Sequence, residues 1–223
     1  MPTVTISSYL SFYVEKDGID YLVVHNAEVA DSISVDFRVG QTYVAPNYFI
    51  YRDAVYFNLA LLPNDAFVTS AVLKLYGRQD LSDTDFDIVI VSGSGLSLGG
   101  EQADYGVLVS KIISFGSFNS SQFVLNAYNE ISLNSLGIDE INLHISGNVV
   151  FGIRSSRDIS SIVPGGGEIA DFDDYSLPNP PKLVLTYTTG VVGESPGTLK
   201  VRGNYLHYVD SGGVERRLLG DIV

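Results

Sequence analysis

The chain has 223 residues, with 13 lysines and arginines against 26 aspartates and glutamates, and a formal net charge of −13. Hydrophobic residues make up 45% and charged residues 17%, enough for a sizeable core and too apolar for intrinsic disorder. The acid excess excludes a broad phosphate-binding face, and the lack of cysteine excludes disulfides, thiolate metal sites and a cysteine nucleophile.

No apolar run approaches the roughly 18 residues that a membrane span needs. Residues 1–5 lack the basic-then-apolar pattern of a Sec signal, so export by that route is not expected. Along the chain the dominant apolar period is two. In 67–76, Phe67, Ala71, Leu73 and Leu75 share one face, with Ser70 and Lys74 opposite. Phe86, Ile88 and Ile90 share another, with Asp87 pointing away. Ile141, Leu143 and Ile145 alternate with Asn142, His144 and Ser146. Val149, Phe151 and Ile153 alternate with Gly152 and Arg154, and Leu183, Leu185 and Tyr187 with Val184 and Thr186. Such runs predict antiparallel strands with one buried and one wet face. Turn residues separate them at 16–18, 63–65, 92–95, 164–167 and 178–181. No helical stripe of three turns is visible, although one short helix fits near 134–137.

The composition changes once, at 188–197, which reads as a Gly/Ser/Thr-rich linker. Beyond it, 198–202, 205–209 and 214–218 predict three very short strands. The expected organisation is therefore a sandwich at 1–189 and an appended segment at 190–223.

Several stretches resemble the DNRLRE-type domain, a jelly-roll sandwich related to carbohydrate-binding modules. They are the run from Ala54 through Leu62-Pro63-Asn64-Asp65-Ala66 to Tyr76, the segment 83–90, the strand 151–159 and the closing strand 181–187. Coverage is roughly residues 20 to 189 in matching order. Two departures are the complete lack of tryptophan and Asn58 where the family carries aspartate. The segment 197–220 resembles the C-terminal piece of phage virion appendage proteins. The resemblance implies an all-β antiparallel jelly-roll sandwich with a small β tail.

Gly95-Leu96-Ser97-Leu98-Gly99 matches a nucleophile elbow in letters, but 100–106 reads as a loop where the elbow needs a helix. Asp83, Asp85 and Asp87 would share one face of a strand, and Asp171, Asp173 and Asp174 form a second acidic group. The default reading is a solvated acidic face; the alternative at Asp83, Asp85 and Asp87 is a structural Ca²⁺ site. No other cofactor is expected. His25, His144 and His207 are far apart, with His144 on a polar strand face. Arg154 and Arg157 read as partners of a buried or half-buried ion pair rather than as ligand-facing groups. Tyr43, Tyr48, Tyr51 and Tyr56 cluster in sequence and suit either core packing or an interface.

The expected function is a non-enzymatic virion structural protein of a tailed phage: a capsid decoration, head-fibre or tail appendage subunit. The alternative is a carbohydrate-binding module of a bacterial extracellular or cell-surface protein. Expected partners are further copies of the chain, a trimer first, other virion proteins and a host-surface glycan, without nucleic acid or membrane insertion. The expected place is the virion, assembled in the host cytoplasm. Assembly is expected to run through Leu199, Val201, Tyr205, His207, Tyr208, Arg216 and Arg217, because so short a segment cannot bury its own core.

Overall fold

Where the sequence alternates with period two, the chain is extended, with one exception. A computed structural model describes residues 1–189, 199–202, 205–209 and 215–221. The first strands are β1 (Thr3–Ser7) and β2 (Leu10–Gly18), followed by the short helix α1 (Tyr21–His25) and β3 (Ser32–Ser34). Next come β4 (Phe37–Val44), β5 (Asn47–Asn58), β6 (Ala66–Asp80), β7 (Asp87–Ser92), α2 (Asp104–Val109), β8 (Gly116–Asn119) and β9 (Tyr128–Ser132). The sandwich finishes with α3 (Ser135–Leu143), β10 (Asn148–Ser155), α4 (Ser156–Ile159), β11 (Gly167–Phe172) and β12 (Lys182–Thr189).

All described pairings are antiparallel, and the result is the expected all-β sandwich. One layer is β1-β12-β6-β9. The fifteen-residue β6 then crosses over: its last residues pair with β11, which leads through β4 to β5 in the second layer. At β5 this layer forks. β2 lies along one edge of β5, while the other edge is shared in succession by β4, up to Tyr51, and β10, from Asp53. β10 continues to β7 and β8, and β2 continues to β3.

The main core lies between the layers and includes Val55, Phe57, Leu73, Leu75, Ile88, Ile90, Phe151, Ile153, Leu183 and Leu185. A second core lies on the outer face of β2, β5 and β7. There Phe12, Val14, Ile50, Ala54, Tyr56, Val89 and Val91 pack against Tyr21 and Val24 of α1 and Tyr105 and Leu108 of α2. The expectation of one wet face per strand therefore fails on this layer. Two helices roof its outside, and β5 is buried from Ile50 to Phe57 on both faces.

The exception to the alternation is 141–146, expected as a strand. It is the end of α3 and the turn after it, with His144 as the C-cap. Ile138, Ile141 and Ile145 sit three and four apart and meet the main core, whereas Leu143 is exposed. Over six residues the two periods are indistinguishable; the Asn134 side chain decides, capping the amides of Leu136 and Gly137. The loop expected at 100–106 is also corrected, since α2 begins at Asp104.

The C-terminal strands fall where expected, as β13 (Leu199–Arg202), β14 (Tyr205–Val209) and β15 (Glu215–Asp221). Among the described residues they pair only with one another, in the order β13-β14-β15. Of the linker expected at 188–197, Thr188 and Thr189 are instead the end of β12, and the rest lies outside the described residues, as do the side chains of Leu199, Val201, Tyr205, Tyr208, Arg216 and Arg217. His207 is half-buried. Among the described residues no helix is long and apolar enough to cross a membrane.

Candidate functional site

The most highly charged place in the interior is under the helical roof. The register of β5 and β10, with Gly152 opposite Ala54, continues to set Arg52 and Arg154 side by side, both fully buried. Two adjacent guanidiniums without water require a counter-charge. Asp158 provides it from α4, which starts directly after β10 because Ser155 caps the Arg157 amide. Arg52 Nε and Nη2 donate to the two Asp158 oxygens at 2.9 and 2.7 Å. Arg154 Nε donates to Asp158 Oδ2 at 2.8 Å, with Nη2 2.7 Å from the same oxygen.

Other donors of the pair go to main-chain oxygens. Arg52 reaches the carbonyls of His25 and Tyr105 at 2.9 and 3.2 Å, and Arg154 those of Val109 and Lys111 at 3.0 Å. His25 and Val109 end α1 and α2, so the guanidiniums satisfy carbonyls that helix ends leave open. Arg52 also lies 4.0 Å over the Tyr105 ring, whose hydroxyl donates to the Val24 carbonyl. Burial alone would push the Asp158 carboxyl up. Arg52 and then Arg154, by charge and hydrogen bond, outweigh it and bring it down to about 2. The cluster fastens the roof to the sheet.

Its margin contains a serine, a histidine and an aspartate, which demands a test for catalysis. Ser161 Oγ is 3.3 Å from His25 Nε2, and Asp158 Oδ1 is 3.5 Å from that same nitrogen. A triad needs the serine and the orienting carboxylate on opposite ring nitrogens. Moreover, Nε2 stands 2.8 Å from the Asp158 carbonyl, which can only accept, so Nε2 carries a hydrogen and is no base toward Ser161. Asp158 is already committed to two arginines. The arrangement does not fit an activated nucleophile.

A second buried carboxylate sits at the fork. Where β4 leaves β5, the Arg38 amide loses its ladder partner and donates instead to Asp53 Oδ2 at 3.0 Å. Asp53 is fully buried, and its Oδ1 has no hydrogen-bond partner among the described residues. The Arg38 guanidinium cannot serve, because it is held two-pronged by Asp171 at 2.8 Å for both contacts. Burial therefore drives the Asp53 carboxyl well above the ordinary range. The Arg38 and Ala54 amides oppose this, and the nearby Asp171 and Asp174 add to it. A charged pair in mid-strand of an apolar run, Arg52-Asp53, was the available sequence signal for both sites.

The residues singled out from sequence are dispersed. Asp83 and Asp85 lie in the loop before β7 rather than on a strand. Asp83 accepts the Gly167 amide, Asp85 the Ser120 hydroxyl at 3.4 Å, and Asp87 the Asn119 side-chain amide. No group of three or more His, Asp or Glu side chains among the described residues is placed to hold a metal ion. Ser97 is used through its backbone, its amide donating to Asp104 and its carbonyl accepting the Tyr56 hydroxyl. The ion-pair reading of the arginines holds: Arg154 meets Asp158, and Arg157 lies 2.7 Å from Glu168. Of the clustered tyrosines, Tyr51 and Tyr56 are buried, while Tyr43 stacks on Tyr48 at 4.7 Å near the surface. Comparison of the chain with protein-family models and with curated proteins gives no match.

Proposed function

We propose that the chain is a non-enzymatic structural subunit of a tailed-phage virion that self-assembles through its C-terminal segment and adheres to surface glycans. The observation that carries the assembly part is the separate three-stranded sheet β13-β14-β15. The sandwich closes its ladders within residues 3–189, and the C-terminal strands pair only with each other among the described residues. Three strands of four to seven residues cannot bury a core of their own. The virion itself is inferred from the resemblance of 197–220 to appendage segments.

Light scattering of the full chain and of a form ending at Thr189 tests the reading. A full-length oligomer and a monomeric, cooperatively melting 1–189 form are expected. A full-length monomer, or an oligomer that survives truncation, overturns it. Glycan adhesion is favoured by the Tyr43–Tyr48 stack near the surface, and a glycan panel on which wild type and Tyr43→Ala bind alike would remove that part.

A further inference from the structure

Helix α1 is more apolar than the fold requires. Its Tyr21, Val24 and His25 turn inward, yet Leu22 and Val23 point out with 58% and 66% of their surface exposed. Ile19 and Val29 beside them are 75% and 49% exposed. Lys or Glu at 22 and 23 would serve the helix equally well, since Asp20 already caps it. Together Leu22, Val23 and Val29 floor a shallow groove of about 620 Å³, rimmed by Lys16, Asp20 and Glu28. Contiguous exposed apolar surface on a soluble chain marks an interaction site.

The charge around the groove says what fits it. Residues 15–31 carry five acidic groups (Glu15, Asp17, Asp20, Glu28, Asp31) and one basic group (Lys16), a formal −4. Strands β13, β14 and β15 carry four basic groups (Lys200, Arg202, Arg216, Arg217) against Glu215 and Asp221, a formal +2 in a chain of −13. In β13 the apolar Leu199 and Val201 alternate with Lys200 and Arg202. An unpartnered apolar groove with an acidic surround thus has a cationic, core-less sheet as its complement within the same sequence.

Reach favours another copy over the same one. Thr189 ends β12 in one layer of the sandwich, whereas α1 roofs the outer face of the opposite layer. Nine residues, 190–198, span about 30 Å only when fully extended. A tail of the same chain would have to pass around both layers, about 10 Å apart, and the helical roof within that span.

We propose that the α1 groove receives the C-terminal three-stranded sheet of a second copy of the chain. This rests on the assembly reading above and names its receiving surface. The five lysines, Lys16, Lys74, Lys111, Lys182 and Lys200, permit a direct test. Full-length chain is mixed as ¹⁴N and ¹⁵N forms, treated with an amine cross-linker and digested. Mixed-isotope Lys16–Lys200 links are expected. Lys200 links confined to single chains, or joining copies only through Lys74, Lys111 or Lys182, overturn the proposal while leaving assembly intact.

A second arm uses the full chain with Leu22→Asp and Val23→Asp together, whose melting reports that the sandwich is folded. Subunit affinity should fall at least tenfold. Unchanged affinity in the folded variant overturns the groove as the interface. A wild type that is monomeric overturns both this and the assembly reading, which distinguishes the two failures.

Discussion

Replacing Asp158 with asparagine tests whether the roof is held by charge. The side chain keeps its volume, so no cavity term enters, and the loss is electrostatic. Asp158, Arg52 and Arg154 are all fully buried, and the substitution leaves two guanidiniums without a counter-charge. Removing one partner of a buried pair costs about 3–5 kcal/mol. The lowered carboxyl gives an independent floor. A drop from 3.8 to about 2 corresponds to about 2 kcal/mol of linked stability. Equilibrium urea unfolding followed by far-UV circular dichroism suits a chain without tryptophan. The folded-state value lies below the unfolded one, so this stability is present above about pH 4 and lost as pH falls toward 2. Wild type should therefore lose stability between about pH 4 and 2 more steeply than the variant. A loss below about 1 kcal/mol at pH 7, or identical acid slopes, refutes the reasoning. Substituting all three members with apolar residues is a further discriminator. For isolated buried pairs such replacement is often neutral. Here it also orphans the carbonyls of His25, Tyr105, Val109 and Lys111, at about 1–3 kcal/mol each where they stay buried. The triple variant should thus remain well below wild type.

Two further outcomes follow from the fork. Asp53→Asn should raise the melting temperature relative to wild type more at pH 8 than at pH 5, because the raised carboxyl favours the native state only while protonated; equal differences at both pH values count against an uncompensated carboxylate. Gly40 has φ 131° in β4, and a Cβ there would strike the Glu168 carbonyl. Gly40→Ala should cost about 3 kcal/mol or more in urea unfolding, and a loss under 1 kcal/mol would mean that β4 can shift freely.

How much of this was legible depended on whether one sequence window held the cause. The alternation of 71–75 and 183–185 reports a single buried face, and those strands form the layer where one face is indeed wet; before the register shift opposite Thr186 and Tyr187, Val68 is buried in place of Phe67. The Arg154–Asp158 pair was legible for the same reason, lying four residues apart across a strand end. Arg52 was not, because its partner Asp158 is 106 residues away and arrives through α4. The two-sided burial of β5 was hidden as well. Its outer neighbours Tyr105 and Leu108 come from a six-residue helix too short to show a stripe. The bare Oδ1 of Asp53, among the described residues, depends on a fork between β4 and β10 that no local pattern announces.

That distribution bears on function. A sandwich that closes one layer with α1, α2 and α4, and consumes Arg52, Arg154 and Asp158 in doing so, leaves little of its interior chemistry open to a substrate. Under the proposed reading, recognition falls to the outside of the roof and to sheet edges. Of these, α1 is the roof element that combines an inward face fixed by Tyr21, Val24 and His25 with an outward face of Leu22 and Val23. The Arg52 bond to the His25 carbonyl holds the end of that helix to the sheet at 2.9 Å. A docking surface so anchored stays ordered before a partner arrives, which lowers the entropic cost of binding. The buried cluster is in this sense the foundation of the exposed groove. Asp158→Asn should therefore weaken subunit affinity as well as stability, under conditions where the variant is still folded.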